Sequence, residues 1–159
     1  MSAIHNSRVR HIFTYGTLMS TATGDMGAAE RALMSAFAEC LGPAAIRGRM
    51  FHAGACPGVL PGGTAGEIVH GELWRIPAHM PDLLAALDRY EGCAPHCPLP
   101  HSYARRRIRV RNSSDARVTA WIYVWVRSTE GLVPIPDGRW RGVLPATAAA
   151  GKSRSGVAA

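Results

Sequence analysis

The spacing of apolar and polar positions changes several times along the chain, and each change marks an element. His11 to Tyr15 is rich in β-formers and stops abruptly at Gly16, which predicts a short buried strand running into a glycine turn. Thr21 to Gly27 is loop-like. Ala28 to Leu41 has helix-forming composition, with Leu33, Phe37 and Leu41 at i, i+4 and i+8, and Gly42-Pro43 is its expected stop. Ala45 to His52 predicts a strand, Gly54 to Gly66 is rich in glycine and proline and reads as a loop, and Ile68 to Ile76 alternates as a second solid strand. Cys93 to Pro100 carries Pro95, Pro98 and Pro100 and suits neither helix nor central strand.

Two further strands follow. Tyr103 to Arg111 puts Arg105, Arg107, Arg109 and Arg111 on one face, and Arg106, Ile108 and Val110 on the other. Such an arginine row suits a solvated edge strand. Asn112 to Ala116 reads as a turn. Val118 to Arg127 sets Ile122, Val124 and Val126 against Trp121, Tyr123 and Trp125; both faces are largely apolar, so it belongs near the centre of a sheet. Strands outnumber helices and several are joined by turns, which predicts an α+β domain on a mostly antiparallel, strongly curved sheet or small barrel. A doubly wound dinucleotide fold is not expected, because Gly16 to Leu18 lacks the G-x-G-x-x-G spacing. The folded domain is expected over residues 11–145, after an extension over 1–10. Residues 146–159 are small, polar and repetitive, and are expected to be disordered.

The remaining periodic stretch, Met80 to Gly92, departs from its own pattern. Met80, Leu83, Leu84 and Leu87 form one helical stripe, and the next position on it is Glu91. A carboxylate thus stands where a core residue is expected, beside Gly92, the expected helix stop, at the negative end of the helix dipole. Burial and the dipole both disfavour its ionised form, which would make it a stronger base than an ordinary carboxylate. The plainer alternative is a frayed last turn with Glu91 in water. Asp88 is a competing base, but it lies off the stripe and is expected to face solvent or to pair with Arg89 or a neighbouring strand.

Composition narrows the function classes. The chain has 159 residues, 47% hydrophobic and 18% charged, enough for one domain with a full core. No apolar run reaches the roughly 18 residues of a membrane span. Met1 to His11 is polar and basic with no apolar core, so no export signal is read and a cytoplasmic protein is expected. Cys40, Cys56, Cys93 and Cys97 are then expected as free thiols. The net charge is +7, but its arginines are scattered and the arginine strand carries no interleaved aromatics, so no nucleic-acid partner is expected.

Two constellations join Glu91 as candidate chemistry. In Tyr15-Gly16-Thr17-Leu18-Met19, a glycine after a buried strand permits close approach of a ligand, and the amides that follow can point outward as an anion-binding nest; a plain structural turn is the alternative. Tyr103 and Arg105 project from one face of their strand and could reach a pocket at the end of the sheet. Cys93, His96, Cys97 and His101 cluster in sequence, but the Cys-x3-Cys spacing departs from zinc patterns. No metal is expected there; these residues are expected to shape a pocket wall.

Taken in order, Tyr15-Gly16-Thr17-Leu18, Cys56-Pro57-Gly58-Val59, Val69-His70-Gly71-Glu72-Leu73-Trp74, Leu87-Asp88-Arg89-Tyr90-Glu91-Gly92, Tyr103-Ala104-Arg105, Ala120-Trp121-Ile122-Tyr123-Val124 and Gly138-Arg139-Trp140 make the chain resemble the γ-glutamylcyclotransferase-like family, in its AIG2-like branch. The resemblance covers about residues 11 to 141. It implies a small mixed, mostly antiparallel β-barrel flanked by helices, with a cavity at one end. It implies a reaction needing neither metal nor cofactor: the α-amine of a γ-glutamyl group attacks its own γ-carbonyl, giving 5-oxoproline and releasing the attached amine. Glu91 would be the acid/base. Tyr15, Gly16, Thr17, Leu18, Tyr103, Arg105 and Tyr123 would bind the small γ-glutamyl substrate, the loop amides holding either its α-carboxylate or the developing oxyanion. Members of the family often have an acidic residue where Arg139 stands, which bears on the far rim of the pocket. A non-catalytic member that keeps the cavity for a small ligand is the alternative.

Overall fold

The computed structural model describes residues 9–143. The expectations for residues 1–8 and for the tail, 146–159, lie outside the described residues. Among those described, nine elements follow in order: β1 (His11–Thr14), α1 (Ala28–Phe37), β2 (Glu39–Ala53), β3 (Cys56–Pro61), β4 (Ile68–Arg75), α2 (Pro81–Tyr90), β5 (Tyr103–Asn112), β6 (Arg117–Trp125) and β7 (Val133–Ile135). The strands run β3-β2-β4-β1-β6-β5, and a further β2–β5 pairing through Ala44 and Ala45 closes five of them into a mixed barrel. Among these pairs only β1 and β6 are parallel. As expected of a strand apolar on both faces, β6 is central.

Alternation on each strand sorts side chains into two cores. Phe13, Met50, Val69, Leu73, Val110 and Ile122 fill the barrel. Their neighbours Ile12, Trp74 and Tyr123 point the other way and pack against Met34, Leu83 and Leu87 of the two helices. Burying these large side chains, several fully, supplies the main driving force, of order 1.5–3 kcal/mol each. The stripe of α2 therefore does what its spacing predicts: Leu83 and Leu87 are buried, and α2 is laid over the barrel next to β6.

Three expectations are corrected. The first helix ends at Phe37, not Leu41, and the chain is already extended at Ala38. The Leu33–Phe37–Leu41 stripe is the wrong face: Phe37 is exposed and Met34 is the buried anchor. Gly42-Pro43 stops no helix; it sits in β2 beside a bulge between Cys40 and Gly42, where a missing amide is tolerated. The stretch from 54 to 66 contains a strand, β3, whose Pro57 and Pro61 are accommodated because β3 is an edge pairing only with β2. Finally, β5 is no free edge, since it pairs with β6 along its length and with β2 at its end.

Candidate active site

Glu91 is placed by the way α2 stops. It caps the helix, its N–H donating to the Leu87 carbonyl (2.9 Å). Gly92 then takes a left-handed φ of 71°, so that its N–H reaches the Arg89 carbonyl and the Cys93 N–H reaches the Asp88 carbonyl. This paired closure is a Schellman motif, and it needs the glycine. It turns the chain sharply and leaves Glu91 facing a hollow at the mouth of the barrel.

The hollow is lined by Tyr15, Gly16, Thr17 and Leu18 after β1, Cys56 and Pro57 opening β3, Glu91, Tyr103 at the start of β5, and Tyr123 of β6. Backbone segments distant in sequence therefore converge on one carboxylate. Its free volume is about 30 Å³, room for little more than ordered water. The frayed-turn alternative for Glu91 does not hold. Burial raises its pKa to about 8, with smaller contributions from the negative charges of Asp88 and Glu30; among the described residues no hydrogen bond or cation offsets them. A larger cavity of about 580 Å³ lies elsewhere, between Val9, Pro77, Leu84 and Trp121. Its lining contains neither Glu91 nor any other carboxylate, so the small hollow is the better place for acid–base chemistry.

The loop after β1 supplies donors. The N–H groups of Gly16, Thr17 and Leu18 have no acceptor among the described residues, although Leu18 is buried and Gly16 lies against β3. Buried amides are nearly always paired, so three in succession beside a cavity form a ready anion site. The loop is held from three sides. Thr17 Oγ1 shares a 2.7 Å hydrogen bond with the Tyr90 hydroxyl, next to Glu91. Arg31 of α1 donates to the carbonyls of Thr17 (2.8 Å), Met26 (2.7 Å) and Gly24 (2.6 Å). Gly16 is so close to β3 that a Cβ there would stand 2.6 Å from the Pro57 ring.

The tyrosines supply acceptors. Tyr15 donates its hydroxyl proton to the Tyr123 carbonyl, Tyr103 to the Pro57 carbonyl (2.8 Å), and Tyr123 to Asp88 Oδ1 (2.7 Å). Burial, reinforced by the Glu91 charge, pushes all three phenols above their ordinary pKa, so they remain protonated. With every hydroxyl proton directed at a protein acceptor, only oxygen lone pairs are left for the hollow. The lining thus combines backbone donors from the loop after β1 with phenolic acceptors and a basic carboxylate.

Among the sequence candidates, Glu91, Tyr15, Gly16, Thr17, Leu18, Tyr103 and Tyr123 come together. Arg105 does not line the hollow: its Nε and Nη2 donate to Asp88 Oδ1 (2.9 Å) and Oδ2 (3.2 Å), and its guanidinium lies 4.4 Å from the Trp121 ring centre. Nor do Cys93, His96, Cys97 and His101, expected as a wall, and among the described residues no cluster is arranged to hold a metal. Cys56 and Pro57, marked in the sequence only among the motifs of the resemblance and not as site residues, also line the hollow. Asp88, expected in solvent or in a pairing, is paired across α2, β5 and β6 at once.

The fold is thus a mixed five-stranded barrel with two helices, and half-buried Glu91 shares a hollow at its mouth with the glycine loop after β1. Residues 12–142 match the sequence profile of the family described as gamma-glutamyl cyclotransferase, AIG2-like, and the chain belongs to that family. It is 33% identical over 130 residues to the gamma-glutamylcyclotransferase family protein ytfP of Citrobacter rodentium, covering 81% of this chain and 93% of that protein. The solution structure of ytfP from Escherichia coli is similar, with a TM-score of 0.55 and 28% identity over 82% of this chain and 95% of the other. The AIG2-like protein of Mus musculus shares the fold at a TM-score of 0.60 and 23% identity, covering 86% and 97% of the two chains.

Proposed function

We propose that the protein is a γ-glutamyl cyclotransferase, converting a γ-glutamyl amine or amino-acid conjugate to 5-oxoproline with Glu91 as general acid/base and no metal or cofactor. The observation that carries this reading is a carboxylate with pKa raised to about 8, lining one small hollow together with Gly16, Thr17 and Leu18, whose amides are unpaired among the described residues. The γ-glutamyl group ends in an α-ammonium and an α-carboxylate. The amide wall suits the carboxylate, and the tyrosine lone pairs with Glu91 suit the ammonium.

The reaction follows from that seating. The ammonium gives a proton to Glu91 and becomes nucleophilic. Its nitrogen attacks the γ-carbonyl carbon of the same molecule, forming the ring C–N bond. As the old C–N bond breaks, the ring nitrogen sheds its second proton; with that proton and the one returned by Glu91, the departing nitrogen leaves as an ammonium ion. Holding nucleophile and carbonyl together in a folded conformation supplies much of the acceleration, since the closure is intramolecular. A group with pKa near 8 can both take and return the proton at neutral pH, which an ordinary carboxylate does poorly.

The test is 5-oxoproline release from a panel of γ-glutamyl conjugates, followed by mass spectrometry with the parent protein and Glu91→Gln. Loss of release in a folded variant supports the reading. Undiminished release would remove Glu91 from the chemistry, and a folded parent that binds these compounds without turnover would favour a ligand-binding role instead.

A further inference from the structure

The hollow is too small for the reaction as a whole. Its roughly 30 Å³ is far below the ~300 Å³ and more of ordinary small-molecule sites, so the hollow must widen to admit the glutamyl head, and the leaving amine needs another space. One lies directly beside it. A groove of about 390 Å³ is lined by Thr17, Met19, Met26, Ala55, Trp140 and Arg141, among others. Thr17 belongs to both spaces. Trp140 Cδ1 would be 4.0 Å from a Cβ on Gly16, in the wall of the hollow. A residue of each lining also meets the other, the Cys56 thiol of the hollow donating to the Met26 sulfur of the groove at 3.3 Å.

The chemistry of this groove is specific. Met26 is a large apolar side chain left 45% exposed, on a loop whose shape Arg31 fixes through three carbonyls. Trp140 is held from behind by His52, ring centres 5.3 Å apart. An unbranched thioether and a braced indole make a surface for apolar or aromatic matter. Among the described residues no carboxylate lines the groove. The charged side chain in its lining, Arg141, is paired with Asp137 at 2.6 Å. An amine bearing a second ammonium would find nothing to balance its charge there.

Resting on the cyclotransferase reading, we propose that this groove seats the departing amine, and that the substrates are γ-glutamyl conjugates of amines or amino acids with an apolar or aromatic body. Parting of the Cys56–Met26 contact joins the two spaces, so that the scissile amide lies at the junction, with the glutamyl head under Glu91 and the leaving group over Met26 and Trp140.

Three conjugates separate the possibilities: γ-glutamylphenylalanine, γ-glutamylglycine and ε-(γ-glutamyl)lysine, each assayed for 5-oxoproline with the parent and with Met26→Glu. Met26 is exposed, so the charge costs the fold little, and thermal unfolding checks that it does. The parent should favour the phenylalanine conjugate over the glycine conjugate by about tenfold or more in kcat/KM, as burial of an aromatic side chain provides. Met26→Glu should cut that ratio about tenfold, mainly through KM, and raise the relative turnover of the lysine conjugate. Equal kcat/KM for all three with the parent, or ratios indifferent to Met26→Glu, would overturn the groove and leave the role of Glu91 standing. No turnover of any conjugate by folded parent protein would overturn both.

Discussion

Asp88 and Glu91, three residues apart at the end of α2, carry their carboxylates in opposite environments: Asp88 accepts three hydrogen bonds, two from Arg105 and one from Tyr123, while Glu91 accepts none among the described residues and lines a small hollow. Asp88 is held in place by its partners, whereas Glu91, with none among the described residues, is the group whose proton affinity is raised. One helix end thereby supplies both a structural anion and a base, with the first raising the pKa of the second. Such a separation of two carboxylates by environment is a recurrent way of assigning distinct roles to identical groups.

Replacing Glu91 by glutamine keeps the shape and removes the titration. The variant should fold as the parent does and bind a γ-glutamyl conjugate with KM changed by no more than a few-fold. Its kcat should fall about 100-fold or more, the usual worth of a positioned acid–base. Steady-state kinetics with a conjugate the parent turns over provides the check. A fall in affinity with kcat intact would make Glu91 a binding group only.

The same substitution has a pH signature that needs no substrate. Folding carries Glu91 from an ordinary pKa of 4.5 to about 8. Between those values the folded protein holds one more proton than the unfolded chain, so stability falls as pH rises through that window. The glutamine side chain has nothing to ionise. The stability gained by Glu91→Gln should therefore be small near pH 4.5 and reach on the order of 4 kcal/mol above pH 8. The other groups coupled to Glu91, namely Tyr15, Cys56, Tyr90, Cys93, Tyr103, Tyr123, Asp88 and Glu30, are present in both proteins, so the titration of Glu91 itself dominates the difference. Denaturant unfolding of the pair at about pH 5, 7 and 9 gives the measurement, and a difference flat in pH would mean Glu91 is not buried as described.

The parts of this site that the sequence made legible are those governed by local periodicity. Glu91 stands out because Met80, Leu83, Leu84 and Leu87 set a stripe that it interrupts, and β6 because alternation holds on both its faces. What escaped depends on partners far along the chain. β3 is invisible locally because its prolines suit a strand only at an edge, and its edge position is fixed by pairing with β2. Arg105 read as open to substrate because nothing near it in sequence tells that α2 lies across β5 and brings Asp88 within 2.9 Å. The helix over-reached to Leu41 for the same reason, since Met34, not Leu33 or Phe37, is the residue buried beneath it. The hydroxyl directions of Tyr15, Tyr103 and Tyr123, which decide what the hollow offers, follow entirely from such long-range acceptors.

Gly16 is predicted to tolerate no side chain. Its φ raises no objection, but an added Cβ would meet the Pro57 ring at 2.6 and 2.9 Å, and a proline in a paired strand cannot swing aside. Gly16→Ala should cost about 1–3 kcal/mol, as overpacking of a closed interface does. It should also displace the loop amides from the β3 wall, lowering turnover beyond what the stability loss explains. Thermal unfolding and kcat/KM measured well below the melting temperature separate the two effects. Unaltered stability would show that β3 lies farther from the loop than described.

Asp88 is a positioning residue whose charge should be readable in the pH dependence of turnover. Its Oδ1 takes the Tyr123 proton and leaves that hydroxyl an acceptor toward the hollow, while both oxygens hold Arg105. Asp88→Asn keeps an oxygen for Tyr123 and removes the charge. Loss of that anion and exposure of the Arg105 cation act in the same direction, favouring ionised Glu91 and lowering its pKa from about 8. The limb of kcat/KM that falls below about pH 8 in the parent should therefore move to lower pH, with KM little changed. Asp88→Ala should shift that limb the same way, but it also frees the Tyr123 proton to point into the hollow, where it opposes an ammonium. KM should then rise, and stability should drop by about 1–3 kcal/mol as partly buried Arg105 loses its partner. Full pH profiles of the parent and both variants distinguish charge from scaffold: a purely structural Asp88 would change stability and amplitude but leave the limb where the parent has it.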